Sequence, residues 1–325
     1  MLFLGKNKSN SSVNDNKQKT QPPFSTLDKN ITFICNAFND TNDFKMNSII
    51  FQGKKGKVIY LETITDTEKI EQNVFIPLTK ASEKDQLKDM IVNVDFEISM
   101  DLKDTINALL KGSCALLFED EKRTYLFNVP QKNDRDVQEP ENEKVIRGSH
   151  QGFIENLDSN INLIRQRIRN SQLMIKYYEL GMESNKNVAI IYMNNLANPS
   201  IVTEIEKRIQ SISLDTVFSP GYIEECIEDN PFSPFPQNLY TERPDRLESH
   251  LIEGRIAIMA EGVADAIIAP VTFFPFFNHQ MIITIDFILE LFFVCLDYSA
   301  FGERLFYPLY ILQSLVSILR LSHSR

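Results

Sequence analysis

The stretch from Asp229 to Arg246, DNPFSPFPQNLYTERPDR, restricts this chain more than any other. Its four prolines, Pro231, Pro234, Pro236 and Pro244, fix φ, remove backbone donors and restrict the residue before each one. Neither a helix nor a central strand runs through such a segment. A linker would be Gly/Ser-rich or uniformly polar, whereas this stretch carries Phe232, Phe235, Leu239 and Tyr240, which gain free energy only by packing. The expectation is a packed loop rather than a disordered spacer. An acidic helix end precedes it (Glu224, Glu225, Glu228, Asp229), and the alternating charges Glu242, Arg243, Asp245 and Arg246 follow. The loop either holds two layers of an α/β domain together or presents a surface to a partner.

A chain of 325 residues with 43% hydrophobic content suggests about two domains with buried cores. A net charge of -10 argues against nonspecific nucleic-acid binding, which needs basic surface to displace counterions. Cys35, Cys114, Cys226 and Cys295 are far apart, with neither a CxxC nor a histidine at metal-ligand spacing, so a reducing compartment without structural zinc is expected. The apolar opening of the amino terminus is too short for a signal-peptide core and no cleavage pattern follows, which places this end in the cytoplasm.

Residues 1–30 are rich in Asn, Ser, Lys and Gln with little to bury, and are expected to be a disordered tail. A first α/β subdomain is expected over 31–130. It opens with the apolar run ITFICNAF and continues into a hairpin of Ser48–Gln52 and Lys57–Glu62, with a further short strand at Met90–Val94. A helix capped by Asp101 follows through Leu110, then a second hairpin of Cys114–Glu119 and Arg123–Asn128. Residues 131–144, QKNDRDVQEPENEK, read as a polar linker.

A second α/β subdomain is expected over 145–270. Phe153, Leu157, Ile161, Ile164 and Ile168 share one helical face, and Arg165, Arg167 and Arg169 crowd the carboxy-terminal turns, where they suit the macrodipole. Strands Leu173–Leu180 and Asn187–Asn194, a helix from Pro199 to Ile212, a strand at Asp215–Phe218, an acidic helix from Gly221, a helix from Arg246 and strands Arg255–Gly262 and Asp265–Val271 complete it. That alternation implies some parallel pairing. From Val271 charges thin out, and 271–325 reads as a hydrophobic tail.

Little in the sequence supports catalysis. His150, His250, His279 and His323 are isolated, without GxSxG, HExxH or Walker A motifs, and the carboxylates Glu224 to Asp229 suit a wet helix face better than a metal site. Gly148 and Gly152 beside a helix start are a weak anion-site signal. No catalytic residue, cofactor or metal is expected.

The segments VIRG with GF, NLIRQRI, YMNNLANP, GYIEECIEDNPFSPFPQNLYTERPDR, LIEGRIAIMAEG and APVTFF, in this order from about Val145 to Phe277, resemble the GerA family, the A subunits of bacterial spore germinant receptors. Ser149, His150 and Gln151 depart from the pattern, where the family usually has a proline and more charge. The resemblance implies two cytoplasmic α/β subdomains ahead of a membrane helix bundle. It also implies B and C subunit partners, homo-oligomerisation, residence in the spore inner membrane, and a role in germination by signal transduction or ion release. Arg147, Arg165, Arg167, Asp229, Asn230, Phe232, Phe235, Arg243, Asp245 and Arg246, which lie in or beside those segments, are the expected subdomain or subunit contacts. The alternative is a soluble α/β ligand-sensing or protein-interaction module.

The resemblance is expected to stop near Phe277. Asp286 and Glu290 make Met281–Leu296 a poor spanning helix, an acidic residue at the bilayer centre costing about 2.5–3.5 kcal/mol. A neighbouring reading frame from Asn278 permits Ser-Pro-Asp-Asp-Tyr-Tyr, one free position, then Arg-Phe, similar to the family's continuation. Its second Asp is forced by the single Met codon at Met281 ahead of Ile282. The tail is thus expected to be either an out-of-frame replacement of the membrane bundle, leaving this copy truncated and non-functional as a receptor, or a divergent anchor.

Overall fold

A computed structural model describes residues 20–80, 87, 94–131, 140, 143, 150–181, 185–212, 220–228 and 237–271. The first subdomain runs α1 (Leu27–Phe38), β1 (Phe44–Phe51), β2 (Lys54–Leu61), α2 (Thr67–Ile70), a π turn (Glu71–Phe75), α3 (Ile76–Lys80), β3 (Phe96–Ser99), α4 (Leu102–Leu109), β4 (Ser113–Phe118) and β5 (Thr124–Asn128). The second runs α5 (Leu157–Arg167), β6 (Leu173–Leu180), β7 (Lys186–Met193), α6 (Pro199–Gln210), α7 (Pro220–Ile227), β8 (Leu239–Thr241), α8 (Pro244–Ile252), β9 (Ile256–Ala260) and β10 (Ala266–Ala269).

Each subdomain is built on one five-stranded sheet, ordered β1-β2-β4-β5-β3 in the first and β6-β7-β9-β10-β8 in the second. The two are the same topology executed twice, and short sequence echoes follow it. Leu27, Asp28, Asn30, Ile31 and Ile34 of α1 recur as Leu157, Asp158, Asn160, Ile161 and Ile164 of α5. Buried Asn30 exchanges two hydrogen bonds with the backbone of Phe24, as Asn160 does with Ile154. Buried amides so satisfied fix the angle at which the chain enters each helix.

Layering follows from alternation along the strands. On β4, Cys114, Leu116 and Phe118 face Ile70, Val74 and Leu78, while Ala115 and Leu117 face α1 and α4. On β7, Val188, Ile190 and Tyr192 meet α6 and α7, while Ala189, Ile191 and Met193 meet α5 and α8. Helices therefore cover both faces of each sheet, which is why these central strands read as continuous apolar runs.

Among the described residues every strand pair is antiparallel, so the expectation of parallel pairing is not met there. The physical reason is that β6–β7 and β9–β10 are hairpins, and β9 returns between β7 and β10 after β8 has gone to the far edge. Alternation of helix and strand does not by itself fix strand direction. Order also begins before Ile31: the N–H of Gln21 donates to Asp101 Oδ1, and ITFICNAF is helical, within α1. Phe153 precedes α5 rather than joining it, Asn156 being the N-cap. α8 starts at Pro244, whose missing N–H costs nothing at a helix start. The expected strands at 90–94 and 215–218 fall largely or wholly outside the described residues, and the third strand lies instead at Phe96–Ser99. Most of the expected linker and all of 272–325 also fall outside them. Among the described residues no helix is long and apolar enough to cross a membrane.

Gly112 and Gly254 occupy matching turns after α4 and α8, both at φ +86°, and a Cβ on either would lie 2.7 Å from a carbonyl oxygen, that of Ile64 or of Leu196. Gly112→Ala and Gly254→Ala are each expected to destabilise the fold by more than about 1 kcal/mol. Denaturant unfolding checks this, and an unchanged midpoint would contradict it.

Candidate functional site

Charge is buried most deeply where the two subdomains meet. Asn39 and Asp40, at φ 49° and 57°, reverse the chain after α1; Asn and Asp tolerate this left-handed conformation better than most residues. The turn delivers Thr41, Asn42 and Asp43 onto β6, the edge strand of the second sheet. The N–H of Asn42 donates to the Ile175 carbonyl at 3.0 Å, the N–H of Ile175 donates to Thr41 Oγ1 at 3.1 Å, and the N–H of Tyr177 donates to Asn42 Oδ1 at 3.3 Å. The first subdomain thus closes an edge that would otherwise be open.

Arg165, in the last turn of α5, reaches back into this turn. Its Nε and Nη2 donate to Asp43 Oδ2 and Oδ1 at 3.1 and 2.8 Å, a two-pronged contact with both side chains 0% exposed. Nη1 donates to the carbonyls of Leu173 (3.0 Å) and Asn170 (3.4 Å), and Nη2 also to Thr41 Oγ1 (3.4 Å). Every guanidinium N–H therefore has an acceptor. The hydroxyls of Thr41 and Thr63 donate to Asp43 at 2.7 and 2.8 Å. One helical turn earlier, Asn162 Nδ2 donates to the Thr63 carbonyl at 2.6 Å and to Gln131 Oε1 at 2.9 Å. Beside the pair, burial and the Asp43 charge push the Tyr177 phenol well above its ordinary value.

The other expected contact residues lie elsewhere. Arg167 Nε donates to Glu248 at 2.8 Å, joining α5 to α8 within the second subdomain. Arg243 and Asp245 pair with each other at the start of α8. Arg246 pairs with Glu143, whose other carboxylate oxygen accepts from the Thr241 hydroxyl (2.7 Å) and the Glu242 N–H (3.2 Å). Arg147, Asp229, Asn230, Phe232 and Phe235 lie outside the described residues. Sequence reasoning missed Asp43, Thr63, Asn162 and Glu143. Asp43 sits in a polar turn, NDTND, whose composition explains it fully as a turn.

The arrangement suits holding two bodies together and carries no reactive constellation. Among the described residues no cluster of His, Cys, Asp and Glu is able to hold a metal ion. Burial pushes the Cys114 thiol far above its ordinary value, which makes it inert.

Removing one partner of a buried ion pair strands the other charge, so Asp43→Ala or Arg165→Ala is expected to cost about 3–5 kcal/mol, with Asp43→Leu/Arg165→Met less damaging than either. Thermal unfolding of the full-length chain checks this, and a single variant as stable as the parent would contradict it. At α8, the hydrogen bond from Arg243 holds the Asp245 carboxyl below its ordinary 3.8. A depressed carboxyl stabilises the fold above its unfolded value, and that stabilisation is lost as pH falls through the folded value, so the window lies below 3.8. Arg243→Ala is expected to raise the Asp245 midpoint in an NMR titration; an unmoved midpoint would contradict the pairing.

The profile of the Bacillus/Clostridium GerA spore germination protein family matches residues 32–315, continuing past Phe277, where the sequence reading ends the resemblance. Spore germination protein A1 of Bacillus subtilis (strain 168) is 31% identical over 246 residues, 75% of this chain and 51% of that protein. Spore germination protein GerLA of Bacillus cereus is 32% identical over 254 residues, 75% of this chain and 52% of that protein. The chain thus spans about half the length of these curated relatives. The crystal structure of the N-terminal domain of the A subunit of the Bacillus megaterium spore germinant receptor GerK3 shares the fold, with a TM-score of 0.61 at 24% identity over 79% of this chain and 99% of that one. On its sequence, this chain belongs to the Bacillus/Clostridium GerA spore germination protein family.

Proposed function

We propose that this chain is the A subunit of a nutrient germinant receptor, its two-subdomain region lying on the cytoplasmic side of the spore inner membrane. The observation that carries this reading is the family match over residues 32–315, supported by the fold shared with nearly all of the GerK3 A-subunit N-terminal domain. The subunit assembles with B and C subunits and with copies of itself, and passes a nutrient signal on to ion release without covalent chemistry. Arg165 fixes the two subdomains as one transmitting unit. Arg147, Arg167, Asp229, Asn230, Phe232, Phe235, Arg243, Asp245 and Arg246 serve subdomain or subunit contacts. A soluble ligand-sensing module is less favoured, because the seam between the subdomains is filled by Thr41, Asp43, Thr63 and Arg165 themselves, all buried.

A second reading concerns residues 278–325. The codon pattern around Met281 favours a frame slip near Phe277 and a product unable to act as a receptor, whereas the family match through residue 315 favours an in-frame continuation. Sequencing the gene separates the two: further apolar helices encoded in the neighbouring frame support the slip, and an early stop there excludes it.

Affinity purification of the tagged chain from spore membranes tests the receptor reading. B and C subunits are expected to co-purify, and Arg243→Ala/Arg246→Ala is expected to reduce their yield at unchanged protein level. A chain in the soluble fraction without partners would contradict it.

A further inference from the structure

The second copy of the fold places one residue from the segment ahead of α5 beside its edge strand. Glu143, upstream of α5, sits against the edge strand β8 through Thr241 and Glu242 and pairs with Arg246 of α8. In the first repeat the matching edge strand is β3, which among the described residues pairs only with β5. The Asn128 N–H donates to the Asp95 carbonyl, and Phe96 opposes Phe127. Antiparallel alternation therefore points the N–H and C=O of Phe96 and Ile98 away from β5, toward the open side. Ile98 and Met100, 38% and 65% exposed, flank this edge.

Between β3 and α4 lies a groove of about 1070 Å³ that is lined, among the described residues, by Asp95, Glu97, Asp101 and Asp104 against the single cation Lys111. Thr20, the first described residue, lines it, and Gln21 is fastened to its floor by the Asp101 carboxylate and the Leu102 N–H. The chain enters the described residues at Thr20, in the groove, and the charges of the nineteen residues before it are Lys6, Lys8, Lys17 and Lys19 against Asp15. At the spacing that sets Asn30 opposite Asn160, Val13 falls opposite Glu143; at the spacing that sets Gly112 opposite Gly254, Asp104 falls opposite Arg246. The first repeat thus holds the acid where the second holds the base.

We propose that the chain's own amino-terminal segment, residues 1–19, docks along β3 in this groove. Lys17 and Lys19 meet Asp104 and Asp95, so the first repeat covers its exposed edge with charges of opposite sign to those of the second. At roughly 3.3 Å per extended residue, nineteen residues are ample to pass a four-residue strand. An open edge bearing apolar side chains invites pairing with other chains, and a tethered basic segment blocks it.

Amide hydrogen exchange of the full-length chain at low salt tests the proposal. Exchange at Phe96 and Ile98 is expected to be at least about tenfold slower than in a chain lacking residues 1–19, and adding the 1–19 peptide is expected to restore protection. Asp104→Lys, an exposed change, is expected to lose the protection without altering exchange at Ile190, and Lys17→Asp/Lys19→Asp in the same chain is expected to return it. Equal exchange with and without residues 1–19 would overturn the proposal, as would protection that persists without them and grows with protein concentration, which would assign the edge to a second copy. An Asp104→Lys variant with undiminished protection would overturn the ionic docking.

Discussion

The buried contact between Asp43 and Arg165 is the constraint on which the arrangement of the two repeats depends. Taking both ions out of water costs several kcal/mol each, and only near-complete hydrogen bonding offsets that. The site supplies it: each guanidinium N–H finds an acceptor, and the carboxylate gains the Thr41 and Thr63 hydroxyls in addition. Such a pair tolerates little displacement, because a shift of either repeat would leave a charge in an apolar surround. Lysine has no planar fork and would not reproduce the contact. The pair thus specifies one relative position for the repeats more than it adds net stability.

The remaining seam contacts rely on that position. The Asn39–Asp40 reversal sets Thr41 and Asn42 against β6 only if Asp43 is anchored beneath them, and their hydrogen bonds to Ile175 and Tyr177 close the edge of the second sheet. Asn162 makes the parallel connection from the same helix to Thr63 and Gln131. Edge strands are a hazard in any sheet protein, and a duplicated fold doubles their number. Here the edge at β6 is covered by the neighbouring repeat, and the Glu143 carboxylate sits at the end of β8, accepting from the Thr241 hydroxyl and the Glu242 N–H.

Much of this fold was legible because buried strands and amphipathic helices leave periodic traces. The two hairpins of the first subdomain, the apolar strand β7 and the helices α4 and α6 lie close to where alternation and capping put them. Strand direction was not legible, since a helix between strands is compatible with either sense once a third strand departs to an edge. The repeat was also hidden, because the echo is confined to a few positions around Asn30 and Asn160 and the rest of each core uses interchangeable apolar residues. Arg165 stood out as one of three arginines at a helix end, but nothing local separates it from exposed Arg169. Its partner Asp43 is distant in sequence and sits in a turn that needs no further explanation. Glu143 lay in a segment read as a polar linker, yet its side chain is only 8% exposed because Thr241, Glu242 and Arg246 surround it.

The central claim, that the first repeat closes the β6 edge and the two behave as one folded unit, is tested most directly by native-state amide exchange at Ile175 and Asn42. These two N–H groups cross the seam in opposite directions. If the account holds, both exchange only with the opening that also exposes Ile190 in the centre of the second sheet. Exchange at Ile175 and Asn42 far faster than at Ile190, with the sheet otherwise protected, would show repeats that part readily and would contradict it.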